Sequence, residues 1–232
     1  MTKPTQIPTE QHKWDTWIGT DEAGKGDYFG SLAVAGVYVN PEIRQILHTL
    51  GVRDGKRLSD LQVKKLAQEI WKQCGDCISL VELEPSEYNE EYHTLRKSGQ
   101  NLNNLLASLH AKVILKLLNQ YVNCRHILVD RFAKEEVLAT QLRSVLNPNT
   151  KLVQIPKAER DIAVAAASIV ARDAFLQRLG QLSKDYHIQL PKGAFQVIDT
   201  GKQFVERHGA GALDYVAKRH FRTTTDILGD EQ

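Results

Sequence analysis

Gly19 to Gly30 read "GTDEAGKGDYFG": two adjacent carboxylates run into a glycine-rich turn that carries a single lysine. The backbone N–H groups of such a turn attract phosphate, whereas the acids beside it repel phosphate. The flanking residues decide what the turn connects. "KWDTWIGT" before it and "SLAVAGVYV" after it are rich in β-formers and apolar residues, so the turn joins two strands. A dinucleotide-binding fingerprint would space its glycines GxGxxG and open a helix. Here Gly24, Gly26 and Gly30 are spaced GxGxxxG and lead into a strand, which argues against a nucleotide-binding oxidoreductase. A Walker-type phosphate loop is absent too. Glycines that simply permit a hairpin turn at positive φ are the plainer reading of the spacing alone.

Further along, Ser59 is placed to cap a helix over "DLQVKKLAQEIWKQC", and "CISLVEL" follows as a strand. A long helix then sets Leu102, Leu105, Leu106, Leu109, Val113, Ile114, Leu117 and Leu118 on one face, a core-facing stripe. "HILVD" is a short buried strand ending in Asp130, and "KLVQI" is another, ending before Pro156. "IAVAAASIVARDAFLQRL" is helical and rich in small residues, so it can lie close against a sheet. Helices around "GKQFVERH" and "ALDYVAKRH" end the chain. The alternation predicts an α/β fold with a mixed central sheet flanked by helices and a helical C-terminal portion. One domain over residues 17–232 follows a short loose polar arm over residues 1–16.

The bulk composition sets limits on function. With 232 residues, 42% of them hydrophobic, the chain can bury a substantial core. Its net charge is only +2, so affinity for nucleic acid has to come from a local basic face. No apolar run reaches membrane-spanning length and no signal-like segment opens the chain, which predicts a cytoplasmic protein with no membrane partner. The three cysteines do not suit a secreted disulfide scaffold. Cys74 and Cys77, with Cys124 and His126, make a zinc set on paper only, because they fall on a helix end and at strand starts.

The carboxylates resolve the opening conflict. Asp21 and Glu22 close one strand, Asp130 closes another, and Glu159 lies between "KLVQI" and the small-residue helix. Strand ends along one sheet edge are where an α/β protein gathers functional groups. Four acids brought together repel unless divalent cations neutralise them, and all-oxygen ligation suits Mg²⁺ or Mn²⁺. Adjacent strand residues point to opposite faces, so Asp21 and Glu22 share a site only if the strand bends, which Gly24 permits. A lone acid would read as a solvated surface charge. Together with the glycine turn, the acids describe a nuclease.

These residues resemble the type 2 ribonucleases H, and ribonuclease HIII in particular. "DEAGKGDYFG" is similar to the family's first motif, and the similarity continues through "GVRDGKRLSD", "YNEEY", "NLNNLLASLHAKVI", "ILVDRF", "PKAERDIAVAAASIVARDAF", "LPKGA" and "GKQFVERHG" to "VAKRHF". The resemblance implies a ribonuclease H-like fold and endonucleolytic hydrolysis of the RNA strand of RNA–DNA hybrids by two metal ions, leaving 5′-phosphate and 3′-hydroxyl ends. It implies that Asp21, Glu22, Asp130 and Glu159 hold the metals, with Asp21 and Asp130 as primary ligands. A glutamate in "KAER" resembles ribonuclease HIII, since ribonuclease HII has aspartate there. Gly24, Lys25 and Gly26 match the motif that reads the ribose 2′-hydroxyl through the backbone. Lys56, Lys157 and Lys192 lie in the matching motifs as candidate phosphate contacts, and for each a solvated surface lysine is nearly as good a reading. No organic cofactor is implied, and the chain is expected to act as a monomer.

The departures are as specific as the matches. Few residues precede the first strand, where ribonuclease HIII proteins usually carry a substrate-binding domain. "DGK" at Asp54 to Lys56 replaces the usual DSK, and Phe195 follows "PKGA" where the family has glycine. Ribonuclease HII, which excises single ribonucleotides from duplex DNA, has arginine in the glycine motif and a tyrosine that packs at the RNA-to-DNA junction. This chain has Lys25 and Ala194 instead. Lys202, Arg207, Lys218, Arg219 and Arg222 are expected to form a basic C-terminal face. An enzyme of the ribonuclease HII kind and a non-catalytic nucleic-acid-binding module are the competing readings.

Overall fold

The strands flanking the glycine turn are β1 (Trp17–Ala23) and β2 (Leu32–Val39). Three more follow: β3 (Ile78–Leu83), β4 (His126–Asp130) and β5 (Lys151–Ile155). In the computed structural model, which describes residues 12–53, 58–143, 145–194 and 196–229, they form a five-stranded sheet of order β3-β2-β1-β4-β5. Residues 24–31 are too short for a parallel crossover, which takes about a dozen residues or more, so the neighbours β1 and β2 are antiparallel. β1 pairs with β4, and β4 with β5, in parallel, which makes the sheet mixed as predicted.

The helices are α1 (Pro41–Thr49), α2 (Asp60–Cys74), α3 (Pro85–Lys97), α4 (Leu102–Gln120), α5 (Glu135–Leu142), α6 (Ile162–Asp185), α7 (Ile198–His208) and α8 (Thr223–Leu228). Ser59 caps α2 as expected, accepting from Gln62 N while the Gln62 side chain accepts from Ser59 N. The chain divides into two compact units. One comprises Met1–Asp21, Val34–Val81 and Leu106–Ala171; the other comprises Glu22–Ala33, Glu82–Leu105 and Arg172–Gln232.

In the first unit, β4 is apolar on both faces because both are covered, as a central parallel strand requires. Ile127 and Val129 join Ala107, Ala111 and Ile114 of α4 and Leu138 and Leu142 of α5 in one buried cluster. The α4 stripe is buried at Leu105, Leu106, Leu109, Val113, Ile114 and Leu117, and half-buried at Leu102 and Leu118. α6 lies hard against β1. A Cβ on Gly19 would run into Val164 N and stand 2.5 Å from the Ala163 carbonyl carbon, so only glycine on the strand and small residues on the helix allow this approach.

The second unit has its own core, in which Tyr28, Phe29, Phe175, Leu179, Phe204, Leu213 and Val216 pack together. The helix predicted over "ALDYVAKRH" is a correction: Ala210–Tyr215 is a 3-10 stretch, and the chain then extends. Backbone pairing with residues 28–30 overrides the helical pattern. Phe29 and Ala217 form an antiparallel bridge, Lys218 N donates to Tyr28 O at 2.8 Å, and Gly30 N donates to Val216 O at 2.9 Å. The expected N-terminal arm lies outside the described residues up to residue 11. From His12 the chain is anchored, with the His12 ring stacked on Trp14 at 4.1 Å and Trp14 stacked on His126 at 4.6 Å.

Candidate active site

Parallel pairing of β1 and β4 sets Thr20 opposite Val129, so Asp21 and Asp130 are the next residues along two neighbouring strands. Paired strands lie about 4.8 Å apart, so register alone brings these two acids to one edge. β5 then adds the third. Asp130 is paired with Ile155, and Arg131 N donates to Ile155 O at 3.0 Å. After Pro156 the backbone turns through Lys157, held at φ 60°, into a short 3-10 turn, Ala158–Arg160. Ala158 N donates to Asp130 Oδ1 at 3.1 Å, tying the turn that carries Glu159 to the acid at the end of β4. Asp21 is 9% exposed and Glu159 5%, an unusual depth for two carboxylates.

The donor set fits a hard divalent cation, since it is made of carboxylate oxygens alone. Among the described residues, no three His, Cys, Asp or Glu side chains converge into a ready chelate. Strand register brings Asp21 and Asp130 to one edge. Glu22 belongs to the second unit, where its carboxylate stands 3.6 Å from Lys25 Nζ. β1 continues through Ala23, and the bend that Gly24 was expected to allow comes at Gly24 itself, at φ 86°.

The glycine turn is built for a close approach. A Cβ on Gly24 would collide with Ser31 O and stand 2.9 Å from Phe175 Cδ2. Gly26 is exposed and nothing lies within 4 Å of where its Cβ would be, so its backbone is open to a ligand. Tyr28 N donates to Gly193 O at 2.8 Å and Gly193 N donates to Asp27 Oδ1 at 2.7 Å, which brings the exposed Lys192 beside the turn. Lys157 is also exposed, in the first unit, and Lys56 lies outside the described residues.

Lys218 is the correction to the basic face. It is 0% exposed, with Nζ donating to Gly30 O at 2.6 Å, so it faces the protein interior. Burial pushes its pKa down to about 7, against a smaller upward pull from Asp27. Neighbouring His220 is also lowered, to about 4, by burial first and by Lys218 second. Arg219 is paired with Asp214 at 3.2 Å, whereas Arg222 is largely exposed. The cysteines are buried and free, with the Cys74 thiol raised to about 11 by burial.

Two residues were missed. Asp161 is 3% exposed, caps α6 by accepting from Ala163 N and Val164 N, and accepts from Trp17 Nε1 at 3.0 Å and His12 Nε2 at 2.9 Å. An aspartate just before an apolar helix is a cap signal that the sequence does carry. His110, fully buried, is hydrogen-bonded to Thr20 Oγ1 at 2.8 Å and stacks on Phe132 at 4.7 Å; nothing in its helical stripe marks it.

The sequence profile of the Ribonuclease HII family matches residues 18–224. The chain belongs to that family. Ribonuclease HIII of Protochlamydia amoebophila (strain UWE25) is 42% identical over 224 residues, covering 96% of this chain and 71% of that one. Ribonuclease HIII of Chlamydia pneumoniae is 40% identical over 212 residues, covering 90% and 69%. Among solved structures, Bst ribonuclease HIII in complex with Mn²⁺ superposes with a TM-score of 0.84 at 32% identity, covering 97% of this chain and 73% of that one. Membership makes the chain a ribonuclease H enzyme of α/β fold, as its first motif implied. None of the helices among the described residues of this ribonuclease H is long and apolar enough to cross a membrane.

Proposed function

We propose that the chain is an endoribonuclease that hydrolyses the RNA strand of RNA–DNA hybrids, with Asp21, Glu22, Asp130 and Glu159 holding Mg²⁺ or Mn²⁺. The observation that carries the reading is the register of β1, β4 and β5, which delivers Asp21, Asp130 and the turn bearing Glu159 to one sheet edge. Bound there, such ions supply an acidified water and positive charge at the leaving 3′-oxygen, giving 5′-phosphate and 3′-hydroxyl ends. The Ala158 N–H fixes one oxygen of Asp130 and thereby the orientation of the other. The open backbone at Gly26 is suited to a ribose 2′-hydroxyl, the group that separates RNA from DNA. Lys25, Lys192 and Lys157 are assigned to phosphate in this reading. Gly24 contributes shape: its positive φ and the lack of a side chain where Ser31 O lies allow the turn. We place the enzyme in the cytoplasm as a monomer.

The test is cleavage of an end-labelled hybrid with and without Mg²⁺ or Mn²⁺, with product ends identified by ligation and phosphatase treatment. Metal-dependent cutting of the RNA strand only is the expected result. Binding without cutting under every metal would leave a nucleic-acid-binding module and overturn the reading.

A further inference from the structure

A cleft of ~250 Å³ opens in the first unit, between α1, the segment after it, and the start of α6. Its lining is strongly cationic. Arg44 and His48 come from α1, Arg53 from the segment that follows, and Arg160 from the turn before α6. None of these arginines makes an ion pair with a described residue. The Arg44 guanidinium stands over the Trp17 ring at 5.8 Å, which holds its aliphatic stem down and leaves its N–H groups for a ligand.

The single acid in the lining does not neutralise this charge. Asp161 is occupied by the α6 backbone, by Trp17 and by His12, so its carboxylate is used inside the protein. Because Asp161 satisfies the first N–H groups of α6, the helix end is not what draws an anion here. The His12 side chain is 5% exposed and lines the cleft, its Nε2–H donates to Asp161, and its buried Nδ1 has no hydrogen-bond partner among the described residues. With Nε2–H donating to Asp161, Nδ1 is an acceptor, so it would be met by a donor and not by a phosphate oxygen.

Three uncompensated guanidiniums in one cleft suit a phosphate, which they can grip through paired N–H groups. Its position decides which phosphate. Trp17 lines the cleft and Asp21 lies further along the same strand; at about 3.3 Å per residue that run spans roughly 13 Å. At about 3.4 Å of axial rise per nucleotide, 13 Å is roughly four nucleotides. We infer that Arg44 and Arg53, on the Trp17 side of the cleft, form a remote phosphate site that grips the nucleic-acid backbone about four nucleotides from the cut, with Arg160 on the side that leads to Glu159. The inference rests on the hybrid-cleaving reading above; it adds Arg44, which lies outside the quoted motifs, and gives Arg53 and Arg160 within them a role.

The experiment uses R44Q/R53Q, with R53Q alone as the milder variant because Arg53 is exposed. Initial rates are measured on a long hybrid and on a series in which one phosphate at a time is a neutral methylphosphonate. The double variant should raise KM about tenfold with kcat unchanged, and should make the slope of log affinity against log salt shallower by about one. In the wild type, one or two methylphosphonates about four nucleotides from the cut should raise KM by a similar factor, and in R44Q/R53Q they should add nothing. R53Q should show part of the same effect at the same positions. Unchanged KM in both variants, or a loss that no single methylphosphonate reproduces, overturns the remote site. A kcat that falls in parallel with affinity also overturns it, because the arginines would then act at the acids or on the fold. If the wild type does not cleave hybrids at all, it is the proposed function that fails.

Discussion

Lys218→Met isolates the cost of the charge buried beneath the glycine turn. The native ammonium has a pKa lowered to about 7 by burial, whereas an unfolded lysine titrates near 10.4. Below pH 7 both states bind the proton and the full desolvation cost is present. Above pH 7 the native state releases its proton first, so the unfolded state holds more protons and stability rises with pH until about 10.4. The slope is about 1.4 kcal/mol per pH unit, or roughly 3 kcal/mol between pH 7 and pH 9. The buried thiols work in the opposite direction: burial raises Cys74, Cys77 and Cys124, so they ionise first when unfolded and lower stability at alkaline pH. That effect is common to wild type and variant and cancels in their difference. His220, lowered to about 4, stays neutral across the window. Urea unfolding of both proteins at pH 6, 7, 8 and 9 reads the difference. Wild type should gain on Lys218→Met by about 1.4 kcal/mol per unit above pH 7 and stay level with it below. Parallel stability curves from pH 7 to 9 would refute the buried-ammonium argument.

Three further outcomes are expected. Asp130→Asn keeps the acceptor for Ala158 N and the side-chain volume but removes a carboxylate charge, so cleavage should fall roughly a hundredfold or more at saturating Mg²⁺ with the melting temperature unchanged; near-normal turnover would remove Asp130 from the site. Gly19→Ala drives a methyl into the α6 backbone and should destabilise the protein by about 3 kcal/mol or more, read as a lower urea midpoint; a midpoint within experimental error of wild type would mean that β1 and α6 separate easily. A DNA duplex with one embedded ribonucleotide should be cut about tenfold or more slowly than a uniform hybrid, because Ala194 has no ring and Tyr28 is fully buried with its hydroxyl hydrogen-bonded to Thr224; equal rates in Mg²⁺ would place a junction reader elsewhere.

The sequence showed the sheet more clearly than the C-terminal portion, and the reason is physical. "HILVD" and "KLVQI" are short apolar runs that read as strands, and their ends placed Asp130 and the approach to Glu159 directly. α1 and α3 went unread although each begins with a proline at its first position, Pro41 after the capping Asn40 and Pro85 after Glu84. "ALDYVAKRH" misled because its helical period is real but weaker than the backbone bonds that residues 28–30 offer it. Lys218 was misplaced for a related reason. Lysine is almost always solvated, and nothing local to it announces that its partner is a carbonyl 188 residues away. Where a side chain's environment is made by distant residues, local pattern carries no signal.

That misplaced lysine also explains how the turn is held, as the sugar contact proposed for it would require. Gly30 is held at φ 87°, with Phe175 and Leu179 packed where a side chain would be. The Gly30 carbonyl therefore needs a donor that can reach into an apolar surrounding. Lys218 supplies it from the chain segment that already pairs with Tyr28 and Gly30 through Lys218 N and Val216 O. A methionine there would relieve the buried charge but leave the carbonyl without that donor, at a cost of about 1–3 kcal/mol for an unsatisfied buried acceptor. Tyr28 N bonded to Gly193 O and Gly193 N bonded to Asp27 secure the other side of the same residues. Discrimination by backbone N–H groups depends on holding them within about half an ångström of the productive position. A turn that has glycines for access has little stiffness of its own, so its rigidity has to come from bonds made by other segments, and Lys218 is one of the groups that make them.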